Sequence, residues 1–402
     1  PPPLVTATAS SSSSLPAARP AASAHVLSIQ RAQKVIKTGA VVIDTGTGTC
    51  KAGFAGVETP QALLKTMVGY PTTKSMGKRA DTFVGEHTRL EGELHIISPL
   101  RNGVIMDWEA VEDLWRHLFY HNLKAAPEEH ALLLSDPPLC PMTNREKLVE
   151  VVFESLNSPR MFVASESVLS LYAHGKISGL VVDTGYATTY TVPIHQGYNL
   201  PHAVEWMNIA GANITSFLMD LLCKRGHCFH ERMLAVVNNL KKKCCYVALD
   251  FEVEWNRPEE EYMVDYWLPD GQTIQLGKER FQCPEMLFHP PQMPGLSVPG
   301  VPGLALKSLQ EVPEICQKEM YENILLCGGS SRFKGFKERF THDLLAGVPI
   351  NTKVNVTTMP LRKYSVWTGG SILASLNNFQ RYWVLKEEYQ EYGPCIVHQK
   401  CY

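Results

Sequence analysis

Apolar residues in this chain come in short β-branched runs that stop at an Asp and a glycine-containing turn. Ala40-Val41-Val42-Ile43 leads into Asp44-Thr45-Gly46-Thr47-Gly48-Thr49. The pattern recurs downstream, where Gly179-Leu180-Val181-Val182 leads into Asp183-Thr184-Gly185 and then Tyr190-Thr191-Val192-Pro193-Ile194. A β-branched run, an acid, a tight turn and a second β-rich run are the sequence form of a hairpin. The repeat predicts two similar lobes facing each other.

A third apolar run, Asn323-Ile324-Leu325-Leu326-Cys327, reads as a buried strand ending in Gly328-Gly329-Ser330-Ser331. Its glycine pair lets backbone approach a ligand closely before a helix that begins near Phe336. Helical spacing is evident over residues 107–121, with Asp107 as the cap, and over residues 144–156 after the turn at Pro137-Pro138. Strands alternating with helices predict an α/β protein.

The first 39 residues break this pattern. Pro1-Pro2-Pro3, a serine run from Ser10 to Ser14 and repeated Ala and Pro bury too little apolar surface to offset the entropy of ordering, so a disordered extension is expected. Arg19, Arg31, Lys34 and Lys37 come before any acid, which is also the composition of an organelle transit peptide. The flexible tail is the preferred reading, given the fold that follows.

At 402 residues, with 45% hydrophobic and 19% charged, the chain is long enough for two or more cores. A formal net charge of -2 gives no general pull toward nucleic acid, and no apolar run reaches membrane-spanning length. Lys241-Lys242-Lys243 reads as a solvated helix face. The 11 cysteines form no CxxC pairs and suit a reducing compartment. His227-Cys228-Phe229-His230 offers metal-binding side chains without a fourth ligand or a presenting loop, so it reads as a surface connection.

The two hairpins and the third run carry the candidate chemistry. Successive N–H groups in a Gly-rich turn form a concave anion site, so Thr45 to Thr49 and Gly185 to Thr188 are placed to grip phosphates from opposite sides. Asp44 and Asp183, at the heads of the turns, suit Mg²⁺, which takes carboxylates largely through its waters. Lys51 supplies positive charge for a β- or γ-phosphate. Gly328 and Gly329 are expected against the nucleoside. One such turn is weak evidence; two matched copies with the third element point to a nucleotide cleft.

Several segments resemble actin: Asp44-Thr45-Gly46-Thr47-Gly48-Thr49-Cys50-Lys51-Ala52-Gly53-Phe54-Ala55-Gly56, Ala126-Pro127-Glu128-Glu129-His130, Thr143-Asn144-Arg145-Glu146-Lys147, Tyr246-Val247-Ala248-Leu249-Asp250-Phe251-Glu252, Leu268-Pro269-Asp270-Gly271, Lys363-Tyr364-Ser365-Val366-Trp367 and Gly369-Gly370-Ser371-Ile372-Leu373-Ala374-Ser375-Leu376. The likeness runs from about residue 39 to the end. Lys243-Cys244-Cys245, Leu325-Leu326-Cys327-Gly328-Gly329-Ser330, the Ala/Ser/Pro extension and the ending Val397-His398-Gln399-Lys400-Cys401-Tyr402 are most similar to the testis-type actin-like proteins.

The resemblance implies an α/β actin-like fold of two lobes and four subdomains around a nucleotide cleft. An outer lobe is expected from residues 40–173 plus 365–402, with a small subdomain at about 66–99. An inner lobe is expected from residues 174–364, with a small subdomain at about 210–297. ATP or ADP with Mg²⁺ is the implied cofactor. Asp44, Thr45, Gly46, Thr47, Gly48, Thr49, Lys51, Asp183, Thr184 and Gly185 match the phosphate and metal positions; Gly211, Lys241, Gly328, Gly329 and Lys363 match the adenosine side.

Departures from actin are equally specific. Glu166 stands where actins place the Gln that orients the attacking water, and Tyr190 replaces the nearby His, so both catalytic positions are degenerate. The two carboxylates that actins direct at the ribose hydroxyls map onto Tyr186 and Lys242. The stretch at residues 72–81 is short and polar where actin inserts an apolar loop into its neighbour, and residues 290–300 are Pro/Gly-rich where actin has its interstrand plug. Ordinary filaments are therefore not expected.

The apolar cleft where partner helices dock maps onto Tyr172, Ala173, Gly175, Tyr198, Ile372, Leu373 and Leu376, with ordinary core an equal rival for Leu373 and Leu376. Partners of actin-binding type are implied, profilin-like ones and other actin-like proteins among them. The leading expectation is a structural or scaffolding protein of the cytoplasm and cytoskeleton, by resemblance the sperm-head cytoskeleton, that holds nucleotide and hydrolyses it poorly. A slow ATPase with nucleotide-switched partner binding and a nucleotide-free pseudo-actin stay open as alternatives.

Overall fold

The computed structural model describes residues 39–71, 82–89, 94–291 and 298–401. The expected extension at residues 1–38, the loop at residues 72–81 and residues 292–297 of the Pro/Gly-rich stretch lie outside the described residues.

Both predicted hairpins form. Val41–Thr45 pairs antiparallel with Thr49–Phe54, and Gly179–Thr184 pairs antiparallel with Thr189–His195. Each then adds two parallel strands on its buried side. Val41–Thr45 lies parallel to Ala131–Asp136, which lies parallel to Arg160–Ser165. Gly179–Thr184 lies parallel to Ile324–Cys327, which lies parallel to Val356–Thr358. The internal repeat is thus a repeat of sheet topology, two six-stranded sheets with the same central order. The first parallel strands read as continuous apolar runs because helices cover both faces.

Asp107 caps the helix Trp108–His117 by accepting from Ala110 N at 3.0 Å, and the helical path continues as a π-turn over Leu118–Leu123. The second predicted helix is Met142–Glu150, followed by a π-turn over Val151–Ser155. The third is Phe336–Gly347.

The helices Glu166–Ala173 and Ser365–Ser375 join the two halves. They cross at Gly369, where a Cβ would collide with Leu169 O; at Gly370 the second helix rests on the first sheet, where a Cβ would stand 2.7 Å from Val42 Cγ1. Only glycine permits that approach. One large core lies around the first sheet, another around the helical face of the second. A smaller cluster of Val168, Leu171, Val181, Val192, Ile194, Leu325 and Cys327 fills the seam between the second sheet and Glu166–Ala173.

Candidate functional site

Strand register places the acids. Asp44 lies opposite Lys51 in the first hairpin, and their side chains form an ion pair with Nζ 2.6 Å from Oδ2. The other carboxylate oxygen accepts from Ser135 Oγ at 3.2 Å. Burial works against the Lys51 charge, but Asp44 more than offsets it, and the ammonium is held above its usual value. Asp183 occupies the same register position in the second hairpin and faces Tyr190. Burial pushes its pKa up to about 6; Lys51 opposes the rise and Asp44 adds to it.

Glu166 completes the cluster from the first turn of its helix. Its carboxyl is held well above the usual range by burial first, then by Asp44 and Asp183, with Lys51 opposing. Tyr190 is pushed up to about 12 by burial and by Glu166, and its hydroxyl reaches Asn102 O at 3.4 Å. Three carboxylates therefore share one ammonium in a partly buried space. Both degenerate catalytic positions are part of that group.

The two turns are braced from behind. Gly46 O accepts from Thr66 Oγ1 at 2.6 Å, and Thr47 Oγ1 accepts from Gly103 N at 2.8 Å. Gly185 O accepts from Ser330 Oγ at 2.7 Å and from Gly211 N at 3.2 Å. Gly328, at φ +84°, sits where a Cβ would be 2.5 Å from Asp183 Oδ1, so a left-handed backbone and a close approach both require glycine there. Gly329 is the one of the pair that faces open space. The short helix Arg362–Tyr364 is tied alongside, because Gly328 N donates to Arg362 O at 3.3 Å; within it the Lys363 ammonium lies 4.2 Å from the Tyr364 ring centre.

Lys241 corrects the reading of the basic run as a solvated face. Its ammonium is buried, donating to Gly211 O at 2.5 Å and Thr215 Oγ1 at 2.7 Å, and burial lowers its pKa to about 8. Lys242 and Lys243 are exposed, as expected. A run of like residues on a helix conceals its one inward position, which only the packing of Leu234–Cys244 against Gly211–Lys224 selects. The segment from His227 to His230 is an irregular connection with Cys228 and His230 exposed.

The donor set suits a phosphate ligand with Mg²⁺. Asp44 and Asp183 would hold the metal through its waters, and the turn backbones and Lys51 would hold phosphate oxygens. Crowded carboxylates with raised pKa values are relieved by a divalent cation. Thr184 Oγ1, fully buried without a hydrogen-bond partner, is an orphan within the second turn. Ser135, Thr66 and Ser330 brace the site although sequence reading assigned them no role; isolated hydroxyls on a strand or turn carry no pattern that would have revealed them.

A second feature lies at the packed helices. Tyr198, Ile372 and Leu376 are exposed, Tyr172 and Ala173 half-buried, and Gly175 turns at φ +67°. Leu376 is a surface residue; Leu373 leans on the core. Tyr172 and Tyr198 are neighbours across this face: burial raises the Tyr172 pKa and Tyr198 adds to the rise.

The family model for actin matches residues 35–402. Actin-like protein 9 of Homo sapiens is 54% identical over 369 residues, covering 91% of this chain and 89% of that relative. Actin-like protein 9 of Mus musculus is 52% identical over the same coverage. Actin-like protein 7A of Bos taurus is 45% identical over 373 residues, 92% of this chain and 85% of that relative. With two matched hairpin sheets meeting at one acidic cleft, and near-complete coverage by the family model and these relatives, the chain belongs to the actin family.

Proposed function

We propose that this protein is an actin-like scaffolding component of the cytoskeleton, with ATP or ADP and Mg²⁺ held in its cleft as a structural ligand and hydrolysed poorly. One observation carries the reading: Asp44, Lys51, Asp183 and Glu166 converge between two braced glycine turns, in a family that generally binds nucleotide with Mg²⁺. A bound nucleotide would supply phosphate charge and a metal between the two sheets. Asp44 and Asp183 would hold that metal through its waters. Lys51 balances phosphate charge, and Lys241 fixes Gly211 behind the second turn.

Poor hydrolysis follows from the same group. A water aimed at a phosphate needs a partner that holds it in line without repelling the phosphates, and a group nearby that can take its proton. Glu166 is either charged, and repelled by phosphates, or protonated, and no base; Tyr190 cannot shuttle a proton near neutral pH. The exposed Tyr198, Ile372 and Leu376, with half-buried Tyr172 beside Tyr198, support docking of amphipathic helices from cytoskeletal partners of actin-binding type. By relationship the setting is the cytoplasm, including the cytoskeleton of the sperm head.

The decisive measurement is the ligand content of the purified protein. Nucleotide released by heat and separated by chromatography, predominantly uncleaved, meets the proposal; no nucleotide at all overturns it in favour of a pseudo-actin, and rapid ATP-to-ADP conversion overturns it in favour of an ATPase. Under salt and Mg²⁺ conditions that polymerise actin, the protein should stay in the supernatant on sedimentation, and helical filaments by electron microscopy would contradict the scaffold reading.

A further inference from the structure

We propose that Tyr186 is a clasp that joins the two glycine turns across the cleft and sets how fast a ligand enters and leaves. The contact itself is independent of the nucleotide reading; the identity of the ligand rests on it.

A Cβ placed on Gly48 would stand 2.5 Å from Tyr186 Cγ, 2.8 Å from its Cβ and 2.9 Å from Cδ2. The aromatic side chain thus lies directly on the Gly48 backbone. Gly48 and Tyr186 lie in the turns of hairpins from different sheets, so this is a bridge between the two halves of the site. Each end is anchored. Tyr186 O accepts from Ala212 N at 2.7 Å, and the preceding carbonyl is held by Ser330 and Gly211. On the other side Thr47 and Gly46 are held by Gly103 and Thr66. Backbone on both sides is therefore fixed, and the movable part is the Tyr186 side chain.

Tyr186 as a residue is 51% exposed. One face rests on Gly48 while the rest meets solvent. A fully buried ring would weld the turns together, whereas a half-exposed one swings out by a rotamer change, and the small open share of its population scales the rates of entry and exit alike. A phosphate gripped by both turns passes between them, and the ring spans that gap. The clasp consequently slows entry and exit alike. Its apolar contact with Gly48 carries the effect, and the hydroxyl is dispensable.

Two measurements test this on the full chain. The first needs no ligand. Gly48→Cys combined with Tyr186→Cys brings two Cβ positions close to disulfide spacing, since the native separation of 2.8 Å needs about 1 Å of relaxation to reach the usual ~3.8 Å. Oxidised glutathione should close the bond by two successive thiol–disulfide exchanges, releasing two reduced glutathione molecules. Peptide mapping distinguishes it from the exposed Cys223, Cys228 and Cys395. Failure to cross-link overturns the clasp.

The second is stopped-flow exchange of a fluorescent ATP analogue with Mg²⁺. Tyr186→Ala should raise association and dissociation rates together, each about tenfold, with Kd changed less than about threefold. Tyr186→Phe should match wild type. A tighter Kd arising from association alone would make Tyr186 a competitor for ligand space and overturn the clasp, as would rates unchanged by Tyr186→Ala. A cross-link with no analogue bound by either protein would overturn the nucleotide reading and the gating role while leaving the bridge between the turns in place.

Discussion

Asp183 and Tyr190 stand directly opposite each other in the second hairpin, in the register that pairs Asp44 with Lys51 in the first. The repeat has therefore kept the acid in both copies and the cation in only one. Asp44 is neutralised by an ion pair at 2.6 Å, whereas Asp183 faces a phenol that burial keeps protonated. The unbalanced charge of the cleft sits on the Asp183 side, next to Glu166.

That imbalance makes ligand-free stability depend on pH. The Asp183 pKa of about 6 lies above its unfolded value of 3.8, so the folded state binds more protons between those values. Its contribution to stability accordingly falls as pH rises from about 4 to about 6. Asp183→Asn should raise ligand-free stability at pH 7 by about 1–3 kcal/mol and flatten the thermal-unfolding profile across that window. The same change should weaken retention of nucleotide with Mg²⁺, read by chromatography of the heat-released ligand. Loss of ligand-free stability, or unchanged retention, would contradict this assignment of Asp183.

Catalysis should respond to restoring both degenerate positions. Glu166→Gln combined with Tyr190→His is expected to raise single-turnover ATP cleavage by about tenfold or more, because it replaces a carboxyl that either repels the phosphates or is no base with a neutral amide, and supplies an imidazole. Glu166→Gln alone should do less. Wild-type cleavage as fast as the double variant would make Glu166 a working base.

Lys241 joins the helix Leu234–Cys244 to Gly211 through a buried ammonium. With its pKa lowered from 10.5 to about 8, the unfolded state binds more protons between those values, and stability rises with pH across that interval. Lys241→Met should abolish this rise. At pH 7 the lost donor to Gly211 O is offset by removal of a desolvated charge, so the cost of about 1–3 kcal/mol should emerge at pH 10, where the native amine is neutral. Urea titrations at pH 7, 8 and 10 read both effects.

The crossing at Gly369 should tolerate no side chain. Gly369→Ala would drive a methyl group into Leu169 O, and a loss of about 3 kcal/mol or more is expected in chemical denaturation. Ser375→Ala, on the same helix, deletes an exposed residue's hydrogen bond to Ser371 O at 2.6 Å and should cost well under half as much. Equal effects would contradict a close crossing at Gly369.

Much of this protein was written in local pattern. Each hairpin carried its own run, acid and turn, and Asp107 announced a helix start, because strand pairing across a short turn and N-capping involve residues close in sequence. The third strand, Ile324–Cys327, was legible from its apolar run and glycine pair. Other relationships joined positions far apart in the chain, and no local signal encodes them. Tyr186 reaches Gly48 because two sheets face each other, Ser135 reaches Asp44 because distant strands pair in one sheet, and Lys241 reaches Gly211 because two helices pack together. Charge state followed the same division. The sequence supplied the acids Asp44, Glu166 and Asp183, but their burial around a single ammonium, which raises Glu166 and Asp183, came from the tertiary structure, since desolvation and charge repulsion depend on distance and burial and not on order along the chain.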